Sequence, residues 1–221
     1  MTRSTRAMTA VLLMLCLGIA GGCQLLGIIA VGVQGVRDTV PRKVPADYQG
    51  LEGKTFAVVV AVDRMVQTSL PTLQYELTQR ITERLRDHTG AAGYVPANEV
   101  VLYLTKNPGW PAMLRSELAE ELGGVDRLVL IEIYEFRNRE PGNSYLWNGL
   151  AAANVAVVES DSSLPEEFAY QRTVQVAFPD AMGFGPEDMS ESVVNSELLR
   201  RLADRAGWLL YDHEEPADIK Y

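Results

Sequence analysis

Lys54-Thr55-Phe56-Ala57-Val58-Val59-Val60-Ala61-Val62 is an apolar, β-branched run with almost no polar interruption. A strand with one wet face alternates, and one covered on both faces does not, so this run predicts a central strand of a sheet that carries helices on each side. The residues that follow agree. Thr68 or Ser69 can cap a helix with Pro71 in its first turn, where a missing amide hydrogen costs little. Leu73, Leu77, Ile81 and Leu85 then recur every four residues, while Gln74, Gln79, Glu83 and Arg86 point elsewhere. Gly90 and Gly93 mark the exit from that helix.

Working outward, Tyr94-Val95 predicts a very short strand, and Asn98 a cap for a helix over residues 99–106. Pro108-Gly109-Trp110-Pro111 breaks the chain. A helix over 113–122 follows, with Leu114, Leu118 and Leu122 on one stripe and Gly123-Gly124 closing it. Residues 126–136 begin as a second buried run and end in alternation, with Glu132 and Glu135 outward. Pro141-Gly142-Asn143 and the stretch 161–165 are turn signals, so 145–160 and 169–178 read as two further strands of an antiparallel meander. Residues 178–190, with two prolines and two glycines, read as a loop. A last helix over 192–210 places Val194, Leu198, Leu202, Ala206 and Leu210 inward and Arg200, Arg201 and Arg205 outward. Strands joined through helices, then hairpins, define an α/β fold: a mixed sheet with helical crossovers and an antiparallel meander.

The amino terminus has export zones in order: Arg3 and Arg6, an apolar run over 10–19, then Ala20-Gly21-Gly22 set against Cys23. The triplet and cysteine resemble the lipobox of bacterial lipoproteins, with Ala20 where leucine is commonest. The resemblance implies cleavage before Cys23, lipidation of Cys23, and a membrane contact made by acyl chains. The expected organisation is a signal peptide over 1–22, a lipidated cysteine, apolar segment and tether over 23–50, an α/β domain over 51–211, and an acidic tail over 212–221. The alternative is a retained membrane helix. Leu25 to Val33 prolong the apolar run, and both halves together exceed the roughly 20 residues that cross a bilayer. Glycines at 18, 21, 22, 27 and 32 and the polar Gln24 weigh against it. Gln24, where aspartate is absent, resembles lipoproteins sent on to an outer membrane, so the expected location is the cell envelope, membrane-anchored, periplasm-facing, at the outer membrane.

With 20 basic against 29 acidic residues the chain carries a formal charge of −9. A protein that neutralises phosphates needs a basic face, which argues against nucleic acid. The cysteines are Cys16, inside the apolar signal, and Cys23, so a processed domain would hold no free thiol for catalysis, a disulfide or a metal.

The order of elements, with Asn98-Glu99-Val100-Val101 and the stretch Ala119-Glu120-Glu121-Leu122-Gly123-Gly124-Val125-Asp126-Arg127-Leu128-Val129-Leu130, resembles the domain shared by the TolB amino-terminal module, CsgG and LpoB. That resemblance implies a non-catalytic envelope module used in docking or assembly, and it transfers no functional residue.

Candidate chemistry is sparse. His88 beside Asp87 reads as a helix-end cation. His213 in Asp212-His213-Glu214-Glu215 reads as part of a solvated acidic tail, with metal binding or hydrolysis through His213 and its neighbouring carboxylates as the alternative. No serine elbow, dinucleotide fingerprint or Walker lysine is present. The adjacent carboxylates Glu120-Glu121 and Glu166-Glu167 read as solvent-facing charge. Trp110, Tyr145, Trp147 and Phe184 are the candidate partner-binding residues, because aromatics supply large contact area at low entropy cost; the competing reading is capping of the core at sheet ends. The expected function is a non-enzymatic envelope lipoprotein, with no cofactor, that docks onto another envelope protein or onto itself. A secretion-assembly subunit is a further alternative.

Overall fold

The computed structural model describes residues 41–216. In chain order the elements are β1 (Arg42–Val44), β2 (Thr55–Val62), α1 (Arg64–Ser69), α2 (Leu73–His88), β3 (Gly93–Tyr94), α3 (Ala97–Lys106), α4 (Arg115–Glu121), β4 (Arg127–Arg137), β5 (Gly149–Glu159), β6 (Phe168–Phe178), α5 (Glu191–Trp208) and β7 (His213–Glu215). β1 and β7 pair in a two-stranded ribbon. The compact unit Val44–His213 holds a five-stranded sheet of order β3-β2-β4-β5-β6. β2 runs parallel to β3 and β4, while β4, β5 and β6 form the antiparallel meander. The mixed α/β sheet expected from the sequence is the observed one. Cys23, the signal over 1–22, the apolar stretch 25–33 and the end of the tail lie outside the described residues.

β2 has the two covered faces its composition requires. Phe56, Val58 and Val60 pack with Leu73, Leu77, Ile81 and Leu85 of α2 and with Val194, Leu198 and Leu202 of α5. Ala57 and Val59 face the other way, against Val100 and Leu104 of α3 and Leu118 and Ala119 of α4. Each large aliphatic side chain so buried stabilises by up to about 1.5–3 kcal/mol.

Several boundaries differ from expectation, each for a local reason. Asp63 accepts a hydrogen bond from the Met65 amide at 2.8 Å and starts the short helix α1, so Thr68 and Ser69 end one helix and do not cap the next. β5 begins at Gly149, not Tyr145, because the Trp147 amide is spent on the Phe184 carbonyl at 2.8 Å. Leu114 precedes α4 in extended conformation and is 61% exposed, off the buried stripe of Leu118. Arg201 is only 5% exposed: it turns onto Asp180 at 2.6 Å, Glu197 at 2.8 Å and the Ala177 carbonyl at 2.8 Å. The Asp180 hydrogen bond, above all, raises its already high pKa.

At Gly149 the start of β5 lies against the end of β6 and against α5. A Cβ there would lie 2.6 Å from the Phe178 carbonyl oxygen and 2.8 Å from Leu198 Cδ1. Gly149→Ala is expected to destabilise by about 1–3 kcal/mol through overpacking, read as a lower midpoint in chemical denaturation. An unchanged midpoint would show that the helix yields.

Candidate functional site

The two sheet faces are unequally covered. Among the described residues α3 and α4 shield β2 and the adjoining ends of β4 and β5, at Leu128 and Val158, on one face, and leave the rest of the meander on that face uncovered. There the face consists of Leu130 and Glu132 on β4, Ala152, Asn154 and Ala156 on β5, and Gln171, Thr173 and Gln175 on β6, placed together by the cross-strand pairs Leu130↔Ala156, Glu132↔Asn154, Asn154↔Thr173 and Ala156↔Gln171. Gln171, Thr173 and Gln175 are exposed, and Thr173 Oγ1 donates to Asn154 Oδ1 at 2.9 Å.

Between this open half and α4 runs a groove of about 390 Å³. Its floor is Val59, Ala61, Leu130 and Ala156; Trp110, Met113 and Leu114 form one wall and Phe168 and Gln171 the other. It runs beside the carboxyl half of β2 and the first half of β4. A wider hollow of about 600 Å³ lies at the opposite end, around Thr55, Gly93 and Gly124.

The wall is built by one carboxylate. Glu166 accepts from the Arg115 and Ser116 amides at 2.8 and 3.0 Å and from the Ser116 hydroxyl. The Ser116 side-chain hydrogen bond, then these amides, hold its pKa below the usual glutamate range. The Arg115 guanidinium in turn lies over the Phe168 ring, 4.0 Å from its centroid. Glu166 is therefore a strut joining the turn before β6 to the start of α4, not the free solvent-facing charge expected beside Glu167.

Of the four aromatics singled out by sequence, only Trp110 lines this groove. Tyr145, 82% exposed, and Phe184, 37% exposed, are surface residues elsewhere. Trp147 is not a surface residue: it is 3% exposed, packs in the main core and donates Nε1–H to the Met189 carbonyl at 3.0 Å. Sequence reasoning missed Leu114, Arg115, Glu166, Phe168 and the Gln171-Thr173-Gln175 row. The row had a legible signal, since three polar residues at period two in one strand mark a face without a covering helix.

Each histidine packs against an aromatic ring. His88 stacks on Tyr211 with centroids 4.7 Å apart. His213 lies flat on Trp208 at 4.7 Å and 2°, with Nδ1 3.2 Å from the Tyr211 carbonyl. Among the described residues no three His, Cys, Asp or Glu side chains gather as a metal ion would require, and no helix is long and apolar enough to cross a membrane.

Fold and groove define the class: an α/β module with a mixed five-stranded sheet, half of one face left open by the described residues. No family model and no curated protein matches the chain. Among solved structures it is similar to the PelC dodecamer from Paraburkholderia phytofirmans (11% identity, TM-score 0.44, covering 78% of this chain and 98% of that one). It is also similar to lipoprotein GNA1162 from Neisseria meningitidis (12%, 0.44, 68% and 96%) and to protein CT253 from Chlamydia trachomatis (18%, 0.43, 72% and 98%). At these scores nothing about ligand or activity passes to this chain.

Proposed function

We propose that this chain is a non-enzymatic envelope lipoprotein, anchored through acyl chains on Cys23 and facing the periplasm, whose α/β domain docks onto another envelope component or onto copies of itself. The observation that carries the docking reading is the open half-face: an apolar groove walled by Trp110, Leu114 and Phe168 beside the exposed row Gln171, Thr173 and Gln175. Apolar anchors with a polar rim are what partner surfaces present. The anchoring half rests on the sequence at Ala20-Gly21-Gly22-Cys23, and the TolB, CsgG and LpoB resemblance belongs to the same reading.

A photoreactive side chain introduced at Leu114 in living cells tests the docking, with Met182, 99% exposed, as control position. A discrete cross-linked species from position 114 and none from 182 is the expected result. Equal cross-linking at both, or none at 114, removes the groove as the docking surface. For the anchor, globomycin is expected to accumulate an unprocessed precursor; if none accumulates, the lipobox reading fails.

A further inference from the structure

β6 has β5 on one side and, among the described residues, no strand on the other. It is long for an edge, eleven residues from Phe168 to Phe178. Native edges are usually blunted by brevity, proline, charged side chains, a bulge or a covering segment. Between Ala169 and Ala177 the strand carries the single charge of Arg172, turned to Asp47, and the irregularity opposite Val157 and Val158, at the Phe168 end, but no proline or lysine. The Ala177 carbonyl takes its hydrogen bond from Arg201 Nη1 of α5 at 2.8 Å, so it turns away from β5. In an antiparallel ladder alternate residues turn their N–H and C=O the same way, so Gln175, Thr173 and Gln171 present theirs outward.

The charge on this strand is as unusual as its length. In a chain with 29 acidic residues, β6 contains no acidic residue and one cation, Arg172. Arg172 is already turned to Asp47, 3.9 Å away. Two copies of so acidic a chain repel over most of their surfaces; this edge carries no acidic residue, and the two Arg172 side chains that a pairing would make diagonal neighbours each have Asp47 beside them.

We infer that β6 pairs with β6 of a second copy of this chain, antiparallel across a two-fold axis at Thr173, joining two five-stranded sheets into one. Thr173 is the midpoint of the free edge. A two-fold there opposes Thr173 to Thr173, Gln171 to Gln175, and Arg172 to Val174, so the pattern is self-complementary, as an isologous interface must be. Each copy keeps its Arg172–Asp47 ion pair. This inference rests on the docking reading and names its partner.

The register is testable in the full-length chain in detergent micelles, with the parent, which has only Cys16 and Cys23, as background. In the proposed pairing the two Thr173 Cα atoms lie about 5.5 Å apart, within the roughly 4.4–6.8 Å that a disulfide spans. Two copies of position 171 lie four residues out of register, about 13 Å apart. Mild oxidation is therefore expected to give at least about tenfold more covalent dimer above background with Thr173→Cys than with Gln171→Cys or Gln175→Cys alone, because a disulfide forms only where the Cα separation allows it. Mixing the latter two is expected to restore the dimer. The protein mass in micelles is expected to fall from two chains to one with Thr173→Pro. Thr173→Lys serves the same purpose should the proline variant not fold. No dimer at 173, or equal yields at all three single positions, overturns the pairing. If the parent is a single chain while position 114 still captures a different protein, the pairing falls and the docking reading stands. If neither is seen, both fall.

Discussion

Replacing Arg127 by methionine is expected to cost the domain about 3–5 kcal/mol of stability, the range for removing one partner of a buried ion pair. The guanidinium, 6% exposed, is a hub. Its Nε donates to the Gly50 carbonyl at 2.9 Å, and Nη1 donates to the Asp126 carbonyl at 2.8 Å and to the Asp161 carboxylate. Glu159 lies 3.7 Å away and accepts from the Tyr48 hydroxyl at 2.8 Å. Burial, then the bond to Glu159, raise the pKa of that hydroxyl, which therefore stays protonated as a donor. Methionine would leave Glu159 without its cation and Gly50 without its donor, releasing the segment that leads into β2. Asp161→Asn is expected to cost much less, because Asp161 is partly exposed and Lys54, at 2.6 Å, shares it. The acid limb gives a second reading. The Lys54 and Arg127 hydrogen bonds hold the Asp161 carboxyl below the usual aspartate range. Its contribution is present above the unfolded value of about 3.9 and is lost as pH falls through the lower folded value. Chemical denaturation at successive pH values should therefore give a shallower acid decline in Arg127→Met. A neutral-pH loss below about 1 kcal/mol, the level of an exposed pair, would show that the hub is replaceable.

The core was more legible than the site, and the reason is physical. Burial on both faces writes itself into one contiguous run, as in residues 54–62, and burial on one helical face into a period, as at Leu73, Leu77, Ile81 and Leu85. The turn signals at 141–143 and 161–165 placed the meander. What failed depends on contacts between residues far apart in the chain. Arg201 sits at a position that a helical wheel assigns to solvent, and only the arrival of Asp180 after β6 draws it inward. Glu166 resembles any loop carboxylate until Ser116, fifty residues earlier, meets it. The groove exists because α4 covers only the adjoining ends of β4 and β5, a fact about helix length against sheet width that no local window contains.

Trp147 is the sharpest case, and its replacement tests which account of the aromatics is correct. Trp147→Ala is expected to destabilise by about 3–5 kcal/mol, as tryptophan truncation in a packed interior does. The indole is 3% exposed, its N–H is committed to the Met189 carbonyl at 3.0 Å, and Arg139 lies 3.9 Å above the ring centroid. Trp147→Phe keeps part of the apolar ring contact but leaves the Met189 carbonyl without this donor, so a loss of about 1–3 kcal/mol is expected. The neighbour two residues away should behave oppositely. Tyr145 is 82% exposed, and the bond that fixes its turn, from its amide to Asn143 Oδ1 at 2.9 Å, is made by the backbone. Tyr145→Ala should therefore stay within about 0.5 kcal/mol of the parent. A surface anchor would give the reverse signature at 147, lost partner capture at unchanged stability. Denaturation midpoints for the three variants, set beside cross-linking from position 114, separate the two accounts. Loss of stability at 147 and not at 145 means that Trp147 closes the core where β5 begins and ties down the loop at Met189.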